Sequence, residues 1–434
     1  MSSEPADISC MSPSNSQKNV KSALLYVVLG VSMIIAIANR QYSIINFESI
    51  IHEFDPWFNY RSTQYMVENG FYKFLNWFDE MSWYPLGRIV GTTVYPGLMY
   101  TSGFMHWLLN FIRLPVHIRE ICVFLAPVFS CFTVLIMYFF TKELWNEGAG
   151  LIAAAMISII PGYISRSVAG SYDNEGLAIF LLMLTFYLWL KSVRLGSMIW
   201  GTLTALSYGY MVTAWGGYVF IINMIPIHVL TLLIMGKYSP RLYVSYCSFY
   251  IIGLILSMQI PFVGYLAISS SEHIGSHGVF GLIQIFAFLN FLHGRTSQKA
   301  YNAFFNIGCV VLGFASFLCI IFLIFSGYVR GLSGRFYSLF DTGYAKIHLP
   351  IISSVSEHQP TTWTSYVNDL HFTSYMMFHG LYLCIKYYNE SRLFAVLYLV
   401  FASYFSGVMV RLIQTLTPIV VSCAAISISN LLKH

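Results

Sequence analysis

The amino-acid sequence predicts an all-α integral membrane protein with about twelve spanning helices. Of its 434 residues, 57% are hydrophobic and only 9% are charged, against roughly 25% charged residues in an average soluble domain. Apolar runs also recur along the chain, several of them near the ~20 residues that a helix needs to cross a bilayer. They include 23–37, 177–190, 304–325 and 394–405. Such runs predict helices because a helix satisfies its own backbone hydrogen bonds inside lipid.

The first twenty residues differ from the rest of the chain. They are rich in Ser, Asn, Pro and Lys and lack apolar periodicity, so we expect 1–20 to be a disordered cytoplasmic tail. Ala36 and Ala38 resemble a signal-peptide cleavage site, but the apolar run exceeds the ~7–15 residues of a signal core. We therefore expect the run to be retained as the first span of a multispan catalytic domain, 21–434.

Basic residues in the short connections predict the orientation of the bundle. With the tail in the cytoplasm and alternating spans, the positive-inside rule is obeyed. The basic residues on the cytoplasmic side are then Lys142, Lys191, Arg194, Lys237, Arg241, Arg295, Lys299, Lys386, Arg392 and Lys433. Two long segments, near 42–117 and 326–371, fall on the lumenal side. Loops of that length usually carry function, so we expect a lumenal active site.

The first polar string that carries chemistry is HEFDPWFNYR at 52–61. An ionised group at the edge of a bilayer is costly unless it pairs, binds a cation or faces water, so Asp55 is a candidate functional residue. Pro56 restricts Asp55 to an extended conformation and is suited to start a helix. The simpler explanation is that Asp55 caps that helix.

The second string is RSVAGSYDNEG at 166–176, in a short lumenal turn. Asp173 and Glu175 offer hard oxygen ligands for a divalent cation, and Arg166 is near enough to pair with one of them. The alternative is that Asp173 caps the following helix and Glu175 lies in its first turn, which helix electrostatics also favour.

Two further candidates lie later in the chain. Glu357, in the string SVSEHQP, is a loop carboxylate that can complete a site when substrate binds; the alternative is a solvated acid. Arg411 follows Gly407-Val-Met-Val and is suited to the oxygens of a phosphate or diphosphate. Its simpler role is to reach the lipid headgroups.

The donor types favour one class of metal ion and exclude others. Carboxylates without thiolates or paired imidazoles select Mg²⁺ or Mn²⁺. His273, His277 and His358 belong to no zinc-binding array. Nucleic-acid binding has no support, because basic residues do not cluster with aromatic ones on a soluble face.

Taken together, the strings resemble the catalytic subunit of the eukaryotic oligosaccharyltransferase. The resemblance is carried by HEFDPWFNYR at 52–61, WYPLGR at 83–88, RSVAGSYDNEG at 166–176, SVSEHQPTTW at 354–363 and GVMVRL at 407–412. It implies a GT-C type glycosyltransferase fold in the endoplasmic reticulum membrane. The implied activity transfers a preassembled oligosaccharide from dolichyl diphosphate to the asparagine amide of N-x-S/T sequons. The implied partners are the lipid-linked oligosaccharide, an acceptor polypeptide, other oligosaccharyltransferase subunits and membrane lipid.

The resemblance also assigns roles. Asp55, Asp173 and Glu175 match the acidic motifs around a divalent cation, Mn²⁺ or Mg²⁺. Arg166 matches an arginine important for activity, and Arg411 matches the one that contacts the lipid diphosphate. Asp55 and Glu357, the acid of the SVSE loop, would accept hydrogen bonds from the acceptor amide.

The sequence departs from the family pattern in one respect. It contains no WWDYG motif, which belongs to the family's C-terminal sequon-binding domain. We therefore expect that domain to be absent and the chain to be a fragment, whose activity alone a transfer assay would decide.

Two other classes share part of the pattern. A different GT-C glycosyltransferase that uses a lipid-phosphate sugar also needs an early lumenal acid, but Arg411 and the SVSE string argue against it. A cation-coupled transporter would carry its acids at mid-span, whereas these acids crowd one rim.

Overall fold

The structure is a computed structural model that describes residues 15–293, 295, 337, 339–341 and 343–433. In this part of the chain, the strands are Phe78–Asp79 and Arg88–Ile89, which pair antiparallel. The α-helices in chain order are Asn15–Arg40, Tyr42–Phe47, Phe54–Asn69, Phe71–Leu75, Gly97–Phe111, Ile118–Leu144, Glu147–Ile159, Pro161–Ile164, Asn174–Leu195, Met198–Ala214, Tyr218–Ile234, Pro240–Met258, Leu266–Ser269, Ile274–His293, Tyr344–His348, Pro350–Ser354, Trp363–Leu370, Thr373–Lys386, Glu390–Val408 and Ile413–Leu431. Short 3₁₀ turns lie at Ser271–His273, Ser356–His358 and Val410–Leu412.

Membrane-length helices dominate the bundle. Within the described ranges, seven are long and apolar enough to cross a membrane: Asn19–Phe47, Ile118–Leu144, Asn174–Leu195, Pro240–Met258, Ser271–His293, Glu390–Val408 and Val410–Leu431. Two shorter helices, Glu147–Ile159 and Tyr218–Ile234, are also apolar. The predicted all-α membrane fold is confirmed. The predicted span at 304–325 lies outside the described residues.

Two helices form the centre of the bundle. Of the apolar window of the last helix, Val410–Leu431, 89% is buried, and the figure for Asn174–Leu195 is 78%. For Asn19–Phe47 it is 17%, so the first helix lies at the periphery. Its exposed apolar side chains suit lipid, because a bilayer does not penalise apolar surface as water does.

The segment boundaries differ in detail from the sequence prediction. The first helix begins at Asn15, within the predicted tail, and residues 1–14 lie outside the described part. The first long segment, 42–117, contains four helices and the strand pair. The second, 326–371, is described only in part. Its described end carries the turn Ser356–His358 and the helix Trp363–Leu370.

Candidate active site

The buried side chain of Tyr172 fixes the helix of Asp55 next to Asp173. Its hydroxyl lies 2.8 Å from Thr63 Oγ1 and 2.7 Å from Ser102 Oγ, and its carbonyl accepts a hydrogen bond from Asn59 Nδ2 at 3.1 Å. Residues 55, 59 and 63 lie four apart and so share one helix face. The face of the helix that carries Asp55 therefore packs against the residue that precedes Asp173.

Asp55 does not cap its helix. The helix runs from Phe54 to Asn69 with Glu53 at the N-cap position, and Asp55 lies in the first turn. Pro56 is buried and is the third residue of the helix, so the predictions that it starts the helix and holds Asp55 in an extended conformation are wrong: the helix begins two residues earlier and Asp55 is helical. The capping explanation is therefore wrong for Asp55, whose side chain is exposed.

Asp173 does cap its helix, as the alternative explanation predicted. Its Oδ1 accepts a hydrogen bond from the Asn174 backbone N–H at 2.7 Å. Burial, the charge of Glu175 and, more weakly, the charge of Asp55 raise the pKa of Asp173 to about 6. Like charges raise a carboxyl pKa, so the charges of Glu175 and Asp55 act on Asp173 in the same direction as its burial.

Glu175 lies between two guanidinium groups. Its residue is 1% exposed, its Oε1 lies 2.7 Å from Arg411 Nε and its Oε2 lies 3.5 Å from Arg166 Nε. A buried carboxylate needs such partners because burial removes its hydrogen bonds to water. Arg166 pairs with Glu175, one of the two acids that the sequence suggested as its partner. The pairing of Arg411 with Glu175 was not predicted.

Glu357 joins the same group through Arg166, whose Nη2 donates a hydrogen bond to Glu357 Oε1. Burial acts to raise the pKa of Glu357, but the hydrogen bond and charge of Arg166 outweigh it and lower this pKa overall. Backbone hydrogen bonds fasten the loop near the last helix: Val410 N to Gln359 O at 3.0 Å and Thr361 N to Gly407 O at 3.2 Å. The SVSE loop and the segment before Arg411 are therefore held side by side.

The site is a continuous chain of charges, Glu357–Arg166–Glu175–Arg411, drawn from three distant stretches. Asp173 precedes Glu175 by two residues. The charge of Arg411 acts to lower the pKa of Asp173, and the charge of Asp55 acts to raise it. Arg411 is held by Glu175, so headgroup contact is not its sole role. Five of the six residues singled out in the sequence thus meet at one end of the bundle, and the sixth, Asp55, lies on a helix that packs against Tyr172, the residue before Asp173.

The donor set fits a divalent cation in part. Asp55 is exposed, and only one oxygen of Asp173 caps the helix. A bound cation would offset the repulsion between these two carboxylates. Glu175, in contrast, is held by two arginines. The described residues contain no group of three or more His, Cys, Asp or Glu side chains arranged to hold a metal ion. The cation site of Asp55, Asp173 and Glu175 therefore stays a prediction.

An apolar cavity whose lining includes Leu412, the residue after Arg411, was not predicted from the sequence. Its volume is about 390 Å³. The lining comes from five separate segments and includes Trp215, Phe220, Phe401, Phe405, Leu412 and Thr415. No sequence signal marks it, because each of these residues is ordinary within its own apolar helix.

Comparison with known sequences gives a match over most of the chain. The family described as "Oligosaccharyl transferase STT3, N-terminal" matches residues 23–424. The chain is 58% identical over 415 residues to the Caenorhabditis elegans "Dolichyl-diphosphooligosaccharide--protein glycosyltransferase subunit stt-3". It is 52% identical over 416 residues to the subunit stt3 of Schizosaccharomyces pombe. Each match covers 96% of this chain and 55% of the relative, so the chain spans about half the length of these relatives.

Solved structures show the same fold. The archaeal oligosaccharyltransferase AglB from Archaeoglobus fulgidus, in complex with an inhibitory peptide and a dolichol-phosphate, matches with a TM-score of 0.73 at 14% identity. The match covers 95% of this chain and 51% of that one. The apo form of the Archaeoglobus fulgidus oligosaccharyltransferase matches with a TM-score of 0.68 at 15% identity, over 94% of this chain and 50% of that one. The helical arrangement is thus the GT-C fold of these structures.

Proposed function

The chain belongs to the oligosaccharyl transferase STT3 family, and from this we propose that it transfers a preassembled oligosaccharide from dolichyl diphosphate to the asparagine amide of N-x-S/T sequons. The single observation that supports this most is the charge chain Glu357–Arg166–Glu175–Arg411. It links a candidate diphosphate ligand, Arg411, to a candidate acceptor ligand, Glu357, through Glu175 and Arg166.

The donor half of the reaction needs a stabilised leaving group. The bond between the anomeric carbon and the diphosphate oxygen breaks, and negative charge develops on the diphosphate. A guanidinium placed there stabilises that charge through paired N–H donors. Arg411 is side-chain exposed by 29%, which leaves part of its guanidinium accessible to a ligand.

A divalent cation is part of the proposal. Asp55 and Asp173 would hold Mn²⁺ or Mg²⁺, and Glu175 would join them on leaving Arg411. When bound, such an ion supplies Lewis-acid stabilisation of charge on the diphosphate.

The acceptor half needs a more reactive nitrogen. The bond from the anomeric carbon to the amide nitrogen forms, and the proton that the nitrogen loses would pass to one of the carboxylates at the amide, Asp55 or Glu357. Its lone pair is delocalised into the carbonyl, as in a peptide bond. Asp55 and Glu357 would accept hydrogen bonds from the amide NH₂ and so reduce this conjugation. The lowered pKa of Glu357 supports this role, because an ionised carboxylate acts only as an acceptor.

The lipid part of the donor requires an apolar surface next to Arg411. The cavity of about 390 Å³ supplies one, since Leu412 and Thr415 line it together with aromatic residues of two other helices. We assign it to the part of the dolichyl chain nearest the diphosphate.

The cellular setting is likewise a proposal. The word "subunit" in the relatives' names supports further oligosaccharyltransferase subunits as partners. The predicted topology and the family together support an endoplasmic reticulum location, with the N-terminus in the cytoplasm and the site in the lumen.

A transfer assay tests the function. The protein, in the membranes in which it is expressed, is incubated with lipid-linked oligosaccharide and a peptide that carries an N-x-T sequon. We expect a peptide mass increase equal to the oligosaccharide, and none with a Q-x-T peptide. Transfer from lipid monophosphate sugars alone would indicate the other GT-C class. Cation flux in liposomes without transfer would indicate a transporter.

A further inference from the structure

Arg40, the last residue of the first helix, carries a fully buried charge without a described counter-ion. The residue is 0% exposed. None of the ion pairs among the described residues includes it, and its Nη2 has no hydrogen-bond partner. A buried charge without its opposite costs several kcal/mol. An apolar side chain of similar length would avoid that cost, so the guanidinium must serve another purpose.

The contacts of Arg40 converge on the segment that leads to Arg166. Its Nε donates to Ser167 Oγ at 2.7 Å, and Ser167 directly follows Arg166. Its Nη1 donates to Ala36 O at 2.8 Å and, more weakly, to Ser158 O at 3.4 Å. The guanidinium carbon also lies 4.7 Å from the centre of the Tyr163 ring. The guanidinium of Arg40 thus connects its own helix and the helices Glu147–Ile159 and Pro161–Ile164 to the loop that contains Ser167.

Hydrogen bonds from residues near Arg40 also hold Ala169 and Gly170, which come after Ser167 in the same loop. Ala169 N donates to Arg40 O at 2.9 Å, and His52 N donates to Gly170 O at 3.0 Å. Ser43 Oγ donates to Ala169 O at 2.6 Å. Gly170 has a φ of +91°, and a Cβ there would collide with the Ile50 carbonyl. The loop is therefore fastened closely to the chain between the first helix and Asp55.

We infer that Arg40 is a positioning residue that sets the backbone of Arg166 and thereby aims its guanidinium at Glu175 and Glu357. This inference rests on the proposed function. Arg40 contacts none of Glu175, Glu357 or Arg411 in any described hydrogen bond or ion pair, so it acts through Ser167 and the loop. A guanidinium suits this task better than an ammonium group, because its fixed planar donors reach several acceptors at once.

Kinetic analysis of Arg40→Met in the intact protein tests the inference. We expect kcat to fall on the order of 100-fold, since small displacements of catalytic groups have costs of this size, while KM for the lipid-linked donor changes less than about twofold because Arg411 belongs to another segment. Arg40→Lys should recover only part of the loss. Full recovery with Lys would show that charge alone suffices and would overturn the inference.

Arg392→Met is the matched control. Arg392 also binds carbonyl oxygens, including Leu144 O at 2.9 Å from its Nε, and its Cζ lies 4.3 Å from the centre of the Trp145 ring. It lies at the other end of the bundle. A loss of kcat equal to that of Arg40→Met would indicate a general packing effect and contradict the inference.

A double-mutant cycle separates positioning from stability. If Arg40 acts through Arg166, adding Arg40→Met to Arg166→Gln lowers kcat no further; independent effects would multiply. Ser167→Ala is the milder variant should Arg40→Met not fold. It should lower kcat on the order of tenfold, as loss of one hydrogen bond to a charged group implies. Wild-type kcat in Ser167→Ala, or multiplied effects in the cycle, would overturn the inference.

A distance measurement is independent of activity. Spin labels introduced as non-natural amino acids at Ser165 and Val355, both exposed, report the separation of the Arg166 loop from the Glu357 loop. Arg40→Met should broaden that distance distribution and Arg392→Met should not. Equal distributions for Arg40→Met and wild type would overturn the inference. An inactive wild-type protein would instead count against the proposed function.

Discussion

Arg411 and Glu175, 236 residues apart in sequence, form a hydrogen-bonded ion pair with 2.7 Å between Nε and Oε1. The pair joins the start of the last helix to the first turn of the helix after Asp173. Both residues were candidate ligands for different groups, the arginine for diphosphate and the acid for a cation. Their pairing means that binding of either group changes the environment of the other.

Removing the charge of Glu175 should destabilise the protein. In Glu175→Gln, Arg166 and Arg411 lose their shared buried partner, which should cost on the order of 3 kcal/mol. The thermal unfolding midpoint should fall, and transfer should be lost. Glu147→Gln is the control, because Glu147 is 43% exposed and pairs with Lys142 at 2.9 Å, and such surface pairs contribute little. Equal midpoints for the two variants would contradict the buried ion-pair network.

Asp55→Ala should abolish glycan transfer while the protein still inserts into the membrane. Asp55 is exposed and does not cap its helix, so its loss should leave the fold intact. The measurement is transfer to a sequon peptide by membranes that contain equal amounts of each variant. Glu53→Gln, two residues earlier, should keep normal turnover. Normal turnover by Asp55→Ala would refute the role assigned to this acid.

Arg411 should determine affinity for the donor. Truncation of a partly buried charged ligand typically costs 2–5 kcal/mol, so Arg411→Ala should raise KM for lipid-linked oligosaccharide on the order of 100-fold. Arg411→Lys keeps the charge but loses the paired donors, and it should give an intermediate value. Initial rates over a range of donor concentrations provide the test. A donor KM unaffected in both variants would rule out diphosphate binding by Arg411.

Removal of divalent ions should stop transfer. Chelation followed by addition of Mn²⁺ or Mg²⁺ should restore it, because carboxylate ligands favour these ions. Mn²⁺ binding measured by electron paramagnetic resonance gives a readout apart from turnover. Binding should be lost in the Asp55→Asn, Asp173→Asn double variant and retained in Glu53→Gln. Mn²⁺ binding retained by the double variant would place the ion elsewhere.

Most of what the sequence predicted about the site came from the short polar strings around the acidic residues. Asp55, Asp173 and Glu357 were recognised because each stands in a polar string between apolar runs. From the sequence, helix capping by Asp55 or Asp173 could be stated only as an alternative to a functional role. Asp173 is the N-cap residue of its helix, whereas Asp55 lies two positions past the N-cap residue of its own, a difference of backbone geometry that residue type does not encode.

Composition and apolar run length are additive properties of the chain, and they were enough to predict a helical membrane bundle. The pairing of Glu175 with Arg411, the role of Arg40 and the apolar cavity were not predictable in that way. Each depends on which helices pack side by side, and an electrostatic or hydrogen-bonded contact exists only when two groups come within a few ångströms. Residues such as Arg40 and Ser167, 127 positions apart, acquire their relationship only when the helices assemble.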